Sequence, residues 1–355
     1  MNRKKIILGI RIFVAISLLT QIGIFIFPSF KQISGAPHIA PHSLNLFMLF
    51  VAVAASWIEG PIGGLRTYYI MKVINRNMTF KSAVKASYSN IFLGAATPSQ
   101  TGGGIAEIYF VTRDDIPISE ATAGTIMTFV CTLLFLTLAL LLLYYLKPQD
   151  MGYLFTVMIK TAVIMLGLAT LFFFVSIFFT NYVNRALLFV FYWLKQSGRI
   201  KDRSGRIEHR MTRICEGLLN YSQASMFMYR HGKLAMVLGF FFTCLFFAVR
   251  FIIPFFVLRG LGMEANVIAV MYIQLLITLI TYFSPTPGGS GLAEMSSLVL
   301  MAPFVTPSLA PVYTVLWRFC TLYVNVFIGG VLLLRELHKP DEESPEEMGM
   351  DSGGG

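Results

Sequence analysis

At 355 residues, 56% hydrophobic and 13% charged, with 32 phenylalanines, the chain lies far from the roughly one-quarter charged composition of soluble domains. That balance excludes an ordinary soluble protein and predicts an all-α polytopic integral membrane protein. The net charge of +10 does not point to nucleic acid, because the basic residues gather at the ends of apolar runs, where positive-inside placement puts them.

Apolar runs long enough for the roughly 20 residues of a bilayer crossing occur, in chain order, at Ile6–Phe27, Leu44–Tyr69, Ser119–Leu146, Gly152–Thr180, Lys233–Leu258 and Ala310–Leu334. They predict six full transmembrane helices. The first follows MNRKK in the manner of a signal peptide, but no small-residue cleavage site follows it, so a retained helix is expected at 6–27. Arg185–Lys195 (RALLFVFYWLK) reads as an interfacial helix with aromatic anchors. A basic loop follows it. The tail, 339–355, is acidic and expected to be disordered. Cys131, Cys244 and Cys320 lie in the runs and Cys215 in the basic loop, with no metal-ligand spacing. His38 and His42 stand at helical spacing in a Pro-rich loop without a third ligand. No metal and no cofactor are expected.

Two stretches break the apolar pattern. Thr97–Glu107 reads TPSQTGGGIAE and Ser284–Glu294 reads SPTPGGSGLAE. Aligned without gaps, five positions are identical: Pro98/Pro285, Gly102/Gly289, Gly104/Gly291, Ala106/Ala293 and Glu107/Glu294. Chance agreement in apolar sequence would match Leu and Phe instead, so this is an internal repeat with an offset of 187 residues. The surroundings repeat as well. Repeat one covers 44–146 and repeat two 233–335, joined by a connecting helix and basic cytoplasmic segment at 152–232. Together with the helix at 6–27 they make a single membrane domain over 1–338.

Lys and Arg placement sets the orientation. Arg3, Lys4 and Lys5 put the N-terminus in the cytoplasm, and Lys72, Arg76, Lys81 and Lys85 return the chain there. If 82–113 crossed the membrane, the loop Lys195–Arg213, with its seven Lys or Arg, would fall outside. A segment that dips in and returns keeps that loop cytoplasmic. The same count brings 265–302 in from the outside and leaves Arg335, His338 and Lys339 cytoplasmic. The expectation is two re-entrant helix pairs in an inverted-topology repeat, the architecture of alternating-access transporters. A hairpin whose Pro-Gly tip merely turns the chain is the plainer alternative.

Ionisable residues inside such runs are costly and mark function by default. They are Glu59, Arg66, Glu107, Arg250, Glu294 and Arg318, three acids and three bases expected to neutralise one another in part. The expected substrate site joins these six to the two tips: Thr97, Pro98, Ser99, Gln100, Thr101, Gly102, Gly103 and Gly104 in the first, Ser284, Pro285, Thr286, Pro287, Gly288, Gly289, Ser290 and Gly291 in the second. Helices starting near Gly104 and Gly291 would aim free N–H groups at an anion, with tip hydroxyls as neutral donors beside them. Each glutamate follows a glycine by three residues. It either caps a first helical turn, carries charge in transport, or does both. Arg66 and Glu59 have plain structural readings too, as a snorkelling side chain and a buried pair partner.

The two Pro-Gly motifs ending in Glu, with Arg66 before the first and Trp317 and Arg318 after the second, resemble the flippase-like membrane domain of the lysylphosphatidylglycerol synthase superfamily. The resemblance covers about Lys5–Lys339. It implies movement of a lipid between leaflets: an anionic or aminoacylated phospholipid, or an isoprenoid-linked lipid. No transferase domain accompanies it, so synthesis of an aminoacyl lipid is not expected. With no activated nucleophile, metal cluster or nucleotide loop in the sequence, the expected protein is a lipid flippase and not an enzyme, in the cell (inner) membrane with both termini cytoplasmic. Its partners would be membrane lipids, with a lipid-synthesising enzyme and self-association as further ones. The alternatives are a non-transporting membrane partner of such an enzyme, and an enzyme acting on a lipid phosphate.

Overall fold

The computed structural model describes residue 19 and residues 44–146, 153–197 and 206–338, and all regular structure among them is helical. In chain order the helices are α1 (Leu46–Ile74), α2 (Phe80–Ala96), α3 (Gly102–Val111), α4 (Ile118–Leu146), α5 (Tyr153–Gln196), α6 (Arg206–His231), α7 (Lys233–Gly260), α8 (Val267–Tyr282), α9 (Leu292–Leu300), α10 (Ala310–Arg318) and α11 (Val324–Leu337). Short 3-10 turns at Pro98–Gln100 and Pro287–Gly289 lie inside the two sequence motifs. Polar side chains fix several starts. Asn45 accepts from Met48 N, Thr79 from Ser82 N, and Asn266 from Ile268 N and Ala269 N.

Four helical stretches among the described residues are long and apolar enough to cross a membrane: Leu46–Ile74, Ile118–Tyr145, Lys233–Gly260 and Pro307–Glu336. The chain is therefore a polytopic membrane protein. The expected helix at 6–27 and the acidic tail fall outside the described residues. The expected span at 152–180 falls largely on the longer α5, which runs for 44 residues and carries a shorter apolar stretch at Ile159–Val175. At 1.5 Å per residue α5 is about 66 Å long, twice the roughly 30 Å of a hydrocarbon core. Arg185–Lys195 is accordingly no separate interfacial helix. Nothing between Thr180 and Lys195 is Pro or Gly, so the helix has no reason to stop there. Part of the expected basic loop is also helical, as α6, which packs on α4 and α5.

The 187-residue offset recurs in the element boundaries. Leu46 and Lys233 begin α1 and α7, and Phe80 and Val267 begin α2 and α8; each pair is 187 residues apart. Helices α1 and α7 pack closely along their lengths. Asn45 N donates to Gly260 O at 2.9 Å, while a Cβ on Gly239 would touch Ile70 at 2.6 Å. The start of α1 thus meets the end of α7, and the pair runs antiparallel. Glycine at 239 and 260 lets the two helices approach, as small residues do in membrane interfaces.

Each repeat then folds a helical hairpin. In the first, Asp114 after α3 accepts from Thr79 N at 2.8 Å and from Ser82 Oγ at 2.6 Å, so α3 returns beside α2 to where α2 began. In the second, Met263 and Val270 share a buried cluster with Met301 and Val305, which brings the end of α9 back to the start of α8. The hairpins are rooted at the ends of α1 and α7. Because those helices are antiparallel, the roots lie at opposite ends of the molecule and the tips point toward each other.

Candidate functional site

The tips touch. Ser99 donates from both its backbone N (3.0 Å) and its Oγ (3.2 Å) to the carbonyl of Ser284. The first tip turns on Pro98, with Ser99 (φ 50°) and Gln100 (φ 56°) in the left-handed region; the second turns on Pro287, with Gly288 (φ 62°) and Gly289 (φ 67°). The left-handed region carries no penalty for glycine and a steric one for Ser and Gln. Thr97 Oγ1 donates to Leu93 O and accepts from Gly102 N, both at 2.8 Å, closing α2 and opening α3 in one residue. A Cβ on Gly103 would lie 2.9 Å from Asn90 O, so α3 can begin against α2 only without a side chain there.

Of the tip hydroxyls expected as neutral donors, several give their protons to acceptors inside the turns. Thr101 Oγ1 donates to Pro98 O (3.1 Å), Thr286 Oγ1 to Ser290 O (2.8 Å), and Ser284 Oγ bonds Thr286 Oγ1 (2.7 Å). Pro285 and Thr101 are exposed; Gly291 has open space where a side chain would be, while a Cβ on Gly104 would make ordinary contact with Thr125 at 3.6 Å.

The two glutamates occupy equivalent positions and live differently. α9 starts one residue after Gly291, and Glu294 Oε2 accepts from Gly291 N at 2.7 Å, so Glu294 is a capping glutamate. It also pairs with a cation: Arg318 Nε donates to its Oε1 at 2.8 Å, both residues being buried. Arg318 Nη2 reaches the tip carbonyls of Gly288 and Gly289 at 3.3 and 3.5 Å. Glu107 caps nothing. α3 begins at Gly102, two residues before the expected start, because Thr97 supplies the acceptor there, and this carries Glu107 into the second turn. Its carboxylate meets Thr67 Oγ1 (2.9 Å) on α1, Asn90 Nδ2 (2.7 Å) on α2 and Thr128 Oγ1 (3.3 Å) on α4. Among the described residues it forms no ion pair.

Glu59 is fully buried at the α1/α7 crossing, 3.2 Å from Arg250 Nη1, with Asn325 Nδ2 at 2.9 Å. Arg66 donates to Thr132 Oγ1 at 3.0 Å, and both Arg66 and Arg250 lie over the ring of Phe246. Four of the six charges therefore pair, Glu59 with Arg250 and Glu294 with Arg318, and Arg66 and Glu107 do not pair with each other. Lys160, a charge inside the run 152–180 but outside the expected six, projects from α5 with its side chain exposed.

Just after Arg318 the helix widens into a π turn, Phe319–Tyr323, where the Ser56 hydroxyl donates to Cys320 O. Such turns recur at functional sites. A small cavity of about 40 Å³ lies beside it, bounded by Arg250, Gln274, Thr278, Thr281, Arg318 and Thr321 with apolar neighbours. Four residues important here were not singled out in the sequence: Gln274, Asn325, Asn90 and Thr67. Gln274 and Asn325 could have been found by the rule applied to charges, since each is an amide within an otherwise apolar helix.

Buried ion pairs beside two opposed helical hairpins, within membrane-spanning helices, define a helical membrane protein with a polar interior. The chain belongs to the family described as the lysylphosphatidylglycerol synthase TM region, which matches residues 6–329. It is 21% identical over 288 residues to a UPF0104 membrane protein of Archaeoglobus fulgidus, covering 81% of this chain and 85% of that one. To a UPF0104 membrane protein of Pyrococcus horikoshii it is 19% identical over 306 residues, covering 82% and 88%. No solved structure matches it.

Proposed function

We propose that this protein moves a lipid between the leaflets of the cell membrane, its headgroup passing the interior where the two tips meet while the acyl chains remain in the bilayer. The observation that carries this reading is the contact of Ser99 with Ser284, which joins hairpins rooted at opposite ends of an antiparallel helix pair. In a membrane these hairpins are re-entrant, and the two repeats are inverted with both termini cytoplasmic, as positive-inside placement asks. Inverted halves meeting at the midplane suit alternating access, and irregular backbone at that depth is tolerated where protein buries it or a polar cavity borders it. The substrate site consists of the tips with Glu59, Arg250, Glu294 and Arg318 at its centre, and with Arg66 and Glu107 to one side. Membership of the lysylphosphatidylglycerol synthase TM region family supports a lipid role.

A leaflet-resolved assay in liposomes tests the reading, with labelled anionic phospholipids as substrates and purified full chain as catalyst. The parent should move lipid, Glu294→Gln should move it at least about tenfold more slowly, and Arg318→Ala should be inactive. Absence of movement by the parent across anionic lipids, or parental rates in both variants, defeats it.

A further inference from the structure

Helix α5 carries a stripe that neither the tips nor the ion pairs use. Within its apolar stretch Met165, Leu168, Phe172 and Val175 are exposed. Past that stretch Phe179, Tyr182, Phe189 and Trp193 are exposed as well. With Ala186 keeping its place in the sequence, these residues follow one another at steps of three and four without a break. That is a seven-residue repeat held over four heptads, the a and d positions of a coiled coil. A helix that merely faces lipid needs apolar residues on that side but no such register. A period of 3.5 against the helix's own 3.6 keeps one seam turned toward a second helix. The g position beside the seam is apolar in the bilayer, at Ile164 and Leu171, and becomes Arg185 beyond it. Another side of α5 is already covered, since Ile159 and Leu166 are buried with Leu133, Leu136 and Leu140 of α4.

Lipid accounts for the first half of the stripe and not for the second. The apolar stretch ends at Val175, and Trp193 lies 18 residues further on. That is about 27 Å along the helix, and still about 20 Å of height at a 40° tilt. Headgroups reach only about 5–8 Å past the hydrocarbon core, so protein must cover Phe189 and Trp193 if water is not to meet them. The eight exposed side chains are 36–73% accessible. At about 150–250 Å² for each aromatic, they offer roughly 900 Å² per copy, comparable to the roughly 800 Å² per partner of a stable interface.

We infer that α5 is the seam of a parallel homodimer, zipped from Met165 in the membrane to Trp193 beyond it. A second copy brings a stripe of the same length that leaves the bilayer at the same height. Two copies in one membrane share their orientation, so the helices meet parallel about a two-fold axis normal to the bilayer. Like charges stay apart in that arrangement: Arg185 at g faces the second copy's Val190 at e, and Lys195 falls at c, off the seam. Inside the bilayer lipid is as apolar a neighbour as another helix. The water-exposed part, Phe179–Trp193, therefore supplies the driving force, and the membrane part supplies the alignment.

The test uses the full chain at low density in liposomes of phosphatidylglycerol and phosphatidylethanolamine under mild oxidation. The parent, with its own four cysteines, is the blank. Phe189→Cys, at a d position, should cross-link to a covalent dimer, and so should Tyr182→Cys one heptad earlier. Lys195→Cys, at c, should give at least about tenfold less dimer. Trp193→Arg added to Tyr182→Cys should cut the dimer yield at least about tenfold with helix content unchanged. Phe189→Arg makes the same measurement should Trp193→Arg not fold. Equal yields at 189 and 195, no dimer above the parent at 182 and 189, or a yield that the folded arginine variant leaves intact overturns the inference. A different protein seated on this face would leave the purified chain monomeric, and that result also counts against it.

Discussion

The two hairpins descend from one pattern and have been finished in different chemistry. Hairpin two ties its glutamate to Arg318, and Arg318 in turn to the carbonyls of its tip. Beside hairpin one, α4 has Cys131 at the position 187 residues before Arg318, and the hairpin's glutamate rests on hydroxyls and an amide. Hairpin two can be read as a charged latch: any anion that draws on Arg318 also loosens the tip. Hairpin one is a hydrogen-bonded frame whose glutamate forms no ion pair among the described residues.

The largest effect expected from breaking this contrast is that of Arg318→Ala. It strands Glu294 in the interior without a counter-charge, which costs about 3–5 kcal/mol for a buried pair. The double variant Arg318→Ala/Glu294→Gln should recover a good part of that loss in thermal unfolding. Equal midpoints for single and double variants would mean that the pair is not the latch. Next is the clamp on hairpin one. A Cβ on Gly329 of α11 would fall 2.2 Å from the carbonyl oxygen of Tyr88 on α2, a backbone atom that cannot step aside. Gly329→Ala should cost about 1–3 kcal/mol through overpacking. Leu142, the residue 187 positions earlier, is exposed, and Leu142→Ala should change stability little. Similar losses at both positions would show that the two hairpins are clamped alike.

A smaller effect is expected at Glu107. With Glu107→Gln an amide oxygen still accepts from Thr67, and Asn90 can turn its own oxygen toward the new amide, so about 1 kcal/mol should be lost. Glu294→Gln should lose distinctly more, because Arg318 is left unpaired. Matching losses at the two glutamates, read by the same unfolding curves, would erase the distinction between latch and frame.

How much of this could be read from sequence follows from what each feature depends on. The motifs were legible because Pro, Gly and Glu have no reason to recur in apolar helices except a shared backbone shape. The apolar runs at 44–69 and 233–258 placed α1 and α7 closely at their starts, Leu46 and Lys233, and short of their ends at Ile74 and Gly260. The pairing of Glu59 with Arg250 was not legible: it depends on where α1 crosses α7, and nothing in either helix states the register. Glu107 was misplaced as a possible cap for a local reason, since Thr97, five residues before Gly102, closes the turn and starts α3 early. The length of α5 was misjudged because hydropathy ends at the membrane edge while helical propensity does not.

The smallest effect concerns the turns themselves, where the copies differ most simply. Tip two uses Gly288 and Gly289 at positive φ; tip one puts Ser99 and Gln100 in the same region. The left-handed conformation costs a residue with a side chain on the order of 1 kcal/mol, and such outliers persist where surroundings hold them. Ser99 is held by its two bonds to Ser284, whereas among the described residues no side-chain bond ties Gln100 to the other tip. Gln100→Gly should therefore leave stability unchanged or raise it by a few tenths of a kcal/mol, the relief being offset by the greater freedom of glycine in the unfolded chain. Gly288→Ala, which adds the missing strain to tip two, should lower it by about 1 kcal/mol. If Gln100→Gly destabilises as much as Gly288→Ala, the Gln100 side chain is itself holding the turn, and the first tip is as specialised as the second.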